Sequence, residues 1–229
     1  MSALVDRHPG LVKMVTLAPE LGDMQIIKQF TDAGVRVAFG HSNAGYELAC
    51  EAIEAGADIA THLFNAMHGI HHRNPGPIPA LLAAESVMVE LIADNTHVHP
   101  SVLQMAIDAA GVDRVALITD AMSATGMPDG DYMLGDLPVS VVDSVARLRQ
   151  PDGTLGAIAG STLTLDVAIK NIVSLGISLE DAVAMATRVP ARWHRVEGVG
   201  VLAPGAWADL CVLSEDADVL AVMRRGKWL

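Results

Sequence analysis

Five of the nine histidines lie between Arg36 and Gly76. Two of them, His41 and His62, each close a short strand-like run, Val35–Phe39 and Ile59–Ala60. An Ala/Glu-rich segment with helical spacing separates the runs. A strand, a crossover helix and a second strand would bring both imidazoles to one rim of a parallel sheet. There two neutral rings can share a divalent cation. Either histidine alone reads better as a polar strand end-cap; their shared topological position favours the metal pair. Zinc normally takes three protein ligands plus water, so two imidazoles are an incomplete set. Glu20, in Ala18-Pro19-Glu20, stands where a third ligand would, and suits a turn equally.

Other polar groups follow apolar runs in the same way. Asp120 sits at the tip of Val115–Thr119. A carboxylate there serves either to accept and return a proton beside a polarised water or to cap a following helix. Asp94 and His97, in IADNTHVHP, fall on the loop after the run Val87–Ala93, close to the rim. Asn65-Ala66 and Arg73 lie in a loop dense in Gly, Pro and His, where Arg73 reads as an anion clamp or as a solvated surface charge. Ile158-Ala159-Gly160 can present backbone N–H groups to a ligand or form a simple turn.

The elements that must position these groups repeat. Strand-like runs at Leu11–Leu17, Val35–Phe39, Ile59–Ala60, Val87–Ala93 and Val115–Thr119 alternate with helical patterns at Met24–Ala33, Ala44–Ala55, Ala80–Glu85 and Ser101–Ala110. Strand–helix alternation with short connections predicts a parallel sheet with helices outside it. Functional groups collect at the carboxyl edge of such sheets. After Asp120, Tyr132–Leu134, Pro138–Val142 and Val145–Arg149 predict antiparallel strands beside the sheet. Ile158–Thr164 is predicted to return to the main body, ahead of helices at Leu165–Leu175 and Leu179–Thr187, the second capped by Ser178 with Asp181. Five clear units fall short of a closed eight-stranded barrel, which takes ~250 residues. Either the sheet is open or the front of a barrel is missing.

Composition narrows the function classes. Of 229 residues, 51% are hydrophobic and 18% charged, which suits a core-rich globular chain. No apolar run approaches the ~20 residues of a membrane helix, and the start MSALVDRHPG lacks signal-peptide character. A net charge of −12 with no basic stripe argues against nucleic-acid binding. Two cysteines, Cys50 and Cys211, suit a reducing cytoplasm.

Taken together, VTLAPE, GHSNA, THLFNAMHGIHHRNPGP, LIADNTHVHP, LITDAM, IAGSTLTLD and GVLAPGAWADLCVL resemble the N-acetylglucosamine-6-phosphate deacetylases of the amidohydrolase superfamily, from about His8 to the C-terminus. The resemblance implies an α/β metal-dependent (β/α)8 TIM barrel, here N-terminally incomplete, with a small β-sandwich portion. Residues 1–196 would form the partial catalytic barrel with a β insertion at about 130–157, and 197–229 strands of the small β domain. It also implies His41 and His62 as ligands of one divalent metal ion, zinc or iron, and Asp120 as the acid/base. A sugar phosphate would be held by Asn65, Ala66, Arg73, Asp94, His97 and the Ile158, Ala159 and Gly160 backbone. The implied assembly is a cytoplasmic homodimer, and the implied reaction is hydrolysis of the acetamide of N-acetylglucosamine 6-phosphate. In the family a further metal-binding Glu lies in sequence before the point where this chain begins, which removes Glu20 from the ligand set. Family members usually carry Gly where Asn95 stands, and Asn where Val189 stands. Two other functions are weighed against this one: a non-catalytic sugar-phosphate-binding remnant, and an amidohydrolase acting on a cyclic amide.

Overall fold

In the computed structural model, which describes residues 2–229, five strands form one parallel sheet. They are β1 (Met14–Leu17), β2 (Arg36–Phe39), β3 (Ile59–Ala60), β4 (Met88–Ile92) and β5 (Val115–Ile118). Their spatial order is their chain order, with Leu17 beside Phe39, Ala60 beside Val89 and Ile92 beside Ile118. The order never reverses, so every crossover moves the chain the same way. With right-handed crossovers this puts the connecting helices on one face. The run over β4 lacks alternation because all five of its residues are buried.

The helices are α1 (Ser2–Arg7), α2 (Met24–Asp32), α3 (Tyr46–Glu54), α4 (Ile78–Ala83), α5 (Pro100–Ala110), α6 (Leu165–Ser174), α7 (Leu179–Ala186) and α8 (Arg188–Trp193). Local sequence sets their ends. Asp23 caps α2 by accepting from Gln25 N at 2.9 Å, and Ser178 caps α7 by accepting from Asp181 N at 3.1 Å, as predicted. Ile27, Phe30, Ala52, Leu81, Leu103, Ile172 and Met185 pack in one cluster with Val37, Phe39, Val89, Leu91 and Leu117 of the sheet. On the opposite face a thinner layer of Ala38, Ile59, Met88 and Ala116 is closed by Val189 and Trp193 of α8. Arg36 fixes that closure by donating to the Asp58 carboxylate and the Trp193 carbonyl, while Trp193 Nε1 donates to Asp58 O at 2.9 Å. The sequence pattern did not predict α8, because Pro190 masks it; proline is nevertheless tolerated in a first helical turn.

Four strands, β6 (Gly130–Leu134), β7 (Leu137–Val142), β8 (Val145–Arg149) and β9 (Leu155–Ile158), make an antiparallel sheet around Met122, Val139, Val141 and Ala146. This limits the predicted return of Ile158–Thr164 to the main body to the second half of that run. The strand stops at Ile158 and pairs with β8, not with the parallel sheet. Gly160, at φ +64°, turns the chain back to the main body, which it meets through a parallel bridge between Ala121 and Ser161 and through Leu163 in the main core. A third, antiparallel sheet joins β10 (Leu210–Leu213), β11 (Val219–Arg224) and β12 (Lys227–Trp228). No described helix is long and apolar enough to cross a membrane.

Candidate metal and acid/base site

The carboxyl edge of the parallel sheet carries unusual backbone. His41 follows β2 at φ 50°, His62 follows β3 at φ 30° and Asp120 follows β5 at φ 51°. Ala66 at 50° and Asn95 at 61° extend the set. Left-handed conformations cost non-glycine residues on the order of 1–3 kcal/mol each, and they concentrate where geometry serves chemistry. Gly40, just before His41, has a separate reason: a Cβ there would lie 2.7 Å from Thr61 Cβ and 2.9 Å from Thr16 Cγ2. Three strand ends can approach this closely only without that side chain.

The consequence is direct contact between the two predicted ligands. His41 Nε2 and His62 Nε2 are 2.8 Å apart, with ring centroids at 4.6 Å. That is hydrogen-bond distance, with donor and acceptor set by the tautomers of the two rings. Tetrahedral zinc with Zn–N bonds of ~2.0–2.1 Å would space them by about 3.3 Å, a small parting of two rings already aimed at one point. His62 is buried at 5% exposure. Burial, joined by the charge of His41, keeps its pKa below the ordinary histidine value, so the ring is neutral and ready to ligate. The pair fits two positions of a divalent cation. Among the described residues, no group of three or more His, Cys, Asp and Glu side chains gathers to complete the set.

A cleft of about 430 Å³ opens on this pair, lined also by Asn65, Ala66, His97, Asp120, Ile158, Ala159 and Gly160. Asn65 is tied to the metal edge, its N–H and its Nδ2 both donating to His62 O, at 3.0 and 3.2 Å. Asp120 does not cap a helix, since the chain leaves it through turns into β6. Its carbonyl accepts from Ser161 N at 2.8 Å, which draws Ile158–Gly160 to the rim. Three residues considered from sequence stand elsewhere. Glu20 has both oxygens engaged, accepting from Ser42 Oγ and Asn43 N at 2.6 Å each. Burial raises its pKa, but those hydrogen bonds hold it below the ordinary carboxylate value. Arg73 is exposed and turned to His72 Nε2 at 2.7 Å, outside the cleft lining. Asp94 also lies outside the lining, with its carboxylate directed at His97.

Asn95 carries the αL turn of the 94–97 loop, a conformation Asn tolerates better than most residues. The departure from Gly therefore leaves the loop path intact. Asn95→Gly is expected to change stability by no more than about 0.5 kcal/mol, measured by urea denaturation.

The structure adds residues that sequence reasoning missed. Leu134, Leu137 and Leu148 of the antiparallel sheet form an apolar wall of the cleft. Leu134 and Leu137 are cross-strand partners at the tip of the β6–β7 hairpin; no local signal says where that tip points. Glu90, inside β4, is 6% exposed. Burial, with the nearby charge of Asp120 adding to it, raises its pKa to about 7 against the opposing pull of the His62 N–H. A charged residue in an otherwise apolar buried strand was the available signal.

Comparison with known proteins agrees with this geometry. The chain is 40% identical over 219 residues to an N-acetylgalactosamine-6-phosphate deacetylase of Escherichia coli O157:H7, covering 94% of this chain and 56% of the relative. It is 37% identical to an N-acetylglucosamine-6-phosphate deacetylase of Lysinibacillus sphaericus, covering 94% of this chain and 55% of that one. The chain thus spans about half the length of the curated relatives it matches. An aspartate-to-alanine variant of the Mycobacterium smegmatis N-acetyl-D-glucosamine-6-phosphate deacetylase, solved with N-acetyl-D-glucosamine-6-phosphate, superposes with a TM-score of 0.91 at 44% identity, over 99% of this chain and 60% of that one. Residues 4–229 match the amidohydrolase family. With imidazoles after the adjacent strands β2 and β3 and a carboxylate after β5 at the same sheet edge, the chain belongs to the amidohydrolase family.

Proposed function

We propose that this chain carries the catalytic edge of a hexosamine-phosphate deacetylase. It would hydrolyse the acetamide of N-acetylglucosamine 6-phosphate to glucosamine 6-phosphate and acetate. The observation that carries the reading is the convergence of His41, His62 and Asp120 on one cleft with Asn65 and His97. A divalent cation held by His41 and His62, zinc or iron, supplies Lewis-acid polarisation of the amide carbonyl and acidifies water. Asp120 accepts a proton from the attacking water as the C–O bond forms. It then delivers that proton to the amine nitrogen as the C–N bond breaks. Asn65, Ala66, His97 and the Ile158–Gly160 backbone orient the sugar phosphate, and Leu134, Leu137 and Leu148 exclude water from the reacting amide.

The architecture supports a (β/α)8 barrel as the parent form. A sheet whose order never reverses, with its connecting helices on one face, winds as a barrel does; doubly wound sheets reverse. In the C-terminal sheet, exposed Val212, Leu220 and Trp228 support a small β sandwich, since such a surface calls for a second layer. On this reading residues 1–196 belong to the barrel and 197–229 to the small β domain. Two cysteines, neither bonded to the other, support a reducing cytoplasm; a homodimer follows from the family resemblance.

A second sugar is favoured by one observation: the relative at 40% identity is named for N-acetylgalactosamine 6-phosphate. The chain, with one equivalent of Zn²⁺ and in excess over substrate, is given each epimer in turn and acetate is followed. Release from the glucosamine epimer, stopped by EDTA, is expected. Release from the galactosamine epimer alone transfers the reading to that sugar. Binding without release supports a sugar-phosphate-binding remnant, and neither binding nor release overturns the reading.

A further inference from the structure

Among the described residues, His97 is the imidazole in the cleft that is not paired with another imidazole, and its geometry is fixed from behind. Asp94 Oδ2 lies 2.6 Å from His97 Nδ1. The other oxygen, Oδ1, accepts from the backbone N–H groups of Thr96 at 2.9 Å and His97 at 2.8 Å. The His97 side chain is 8% exposed and that of Asp94 16%. Both oxygens of Asp94 are therefore spent on its own loop, and neither faces the cleft. His97 itself lines the cleft, so with Nδ1 committed to the carboxylate, Nε2 is the ring atom left to meet a ligand. Asn95 at φ 61° gives the loop the turn that brings residue 97 back over residue 94.

We infer that Asp94 is a positioning residue that acts through His97: it holds a hydrogen on Nδ1, aims Nε2 into the cleft, and balances the ring's charge when Nε2 donates to a ligand oxygen. This rests on the proposed function for the identity of the ligand, and it assigns Asp94 no ligand contact of its own. A charge-assisted N–H suits an oxygen-rich anion such as a sugar phosphate. The tautomer is set by the partner on the far nitrogen, a general property of imidazole.

Asp94→Asn separates this role from loop support. The Asn side-chain oxygen still accepts the two backbone N–H groups, so the turn is kept. The NH₂ group now faces Nδ1, which must give up its hydrogen, and the ring becomes the neutral Nε2–H tautomer. In the full chain, ¹⁵N–¹H spectra of the histidine rings are expected to show Nδ1–H for His97 in wild type and its loss in Asp94→Asn. The melting temperature should be unchanged. The Kd for N-acetylglucosamine 6-phosphate is expected to weaken by about 10-fold, because Nε2–H still donates but from a neutral ring in place of a charged one. In a His97→Ala background the same Asp94→Asn change is expected to alter Kd by less than about twofold, because its effect travels through the ring.

Unfolding of Asp94→Asn, an unchanged ring signature, or a full effect of Asp94→Asn without His97 each overturns the inference. A flipped ring with unchanged Kd does so too. If wild type does not bind N-acetylglucosamine 6-phosphate, the functional reading fails separately. The ring signature then decides the role of Asp94, with inorganic phosphate as the binding probe.

Discussion

Asp120→Asn is expected to lower acetate release by about 10²- to 10⁴-fold, the range in which a positioned general acid/base contributes. The exchange is nearly isosteric, and what it removes is the ability to take a proton and return it. The backbone at Asp120 is held independently of the side chain, because its carbonyl accepts from Ser161 N at 2.8 Å and the neighbouring Met122 N donates to Ser161 O at 2.9 Å. The left-handed φ of 51° is one that Asn adopts readily. Folding and sugar-phosphate affinity are therefore expected to survive while the chemical step does not. Single-turnover acetate release and titration calorimetry with the same preparation read the two separately. A variant that keeps more than about a tenth of wild-type turnover removes Asp120 from the acid/base role.

The second large effect concerns stability. Glu90 has a pKa of about 7 in the folded chain against an ordinary value of 4.5. Burial is the first cause. The folded state thus binds a proton more tightly than the unfolded state between these two values. The stabilisation is complete below about pH 4.5 and is lost as pH rises to about 7. At about 1.4 kcal/mol per pKa unit, the loss is on the order of 3 kcal/mol. Glu90→Gln keeps the shape and a hydrogen-bond acceptor but cannot ionise. With EDTA present, wild type and Glu90→Gln are expected to match near pH 4.5. The variant should be the more stable by up to about 3 kcal/mol at pH 8. Urea denaturation across this range checks it, and parallel stability curves would refute the assignment. The direction also bears on the site, since a neutral Glu90 puts no second negative charge beside Asp120 and the His62 backbone.

Much of the architecture was legible without coordinates because its signals are local. The apolar runs before His41, His62 and Asp120 became strands close to their predicted bounds. Gly111 at φ 78° ends α5 and Ser178 caps α7, as their side-chain chemistry dictates. Only the half of Ile158–Thr164 after Gly160 returns to the main body, because apolar, β-branched residues fit a strand in either sheet. Choice of partner is a long-range property, decided here by the turn at Gly160 and the pairing with β8. Helix α8 escaped notice because Pro190 looks like a breaker unless the helix start is known.

The candidate site divides the same way. Residue types and spacing alone determined that His41 and His62 follow neighbouring strands, that Asp120 follows another, and that Asp94 and His97 share one loop. Period-two strands with short crossovers put such positions at one sheet edge whatever the details. Only the tertiary structure decided which of them meet. It brought the two Nε2 atoms to 2.8 Å, engaged Glu20 with Ser42 and Asn43, turned Arg73 outward, aimed Asp94 at His97, and buried Glu90 beneath the rim. Those outcomes depend on side-chain direction and on backbone held at positive φ, which packing around Gly40 and the strand ends imposes. A one-dimensional pattern specifies the edge on which a residue lies, whereas its partner there is set by three-dimensional contacts from elements far apart in sequence.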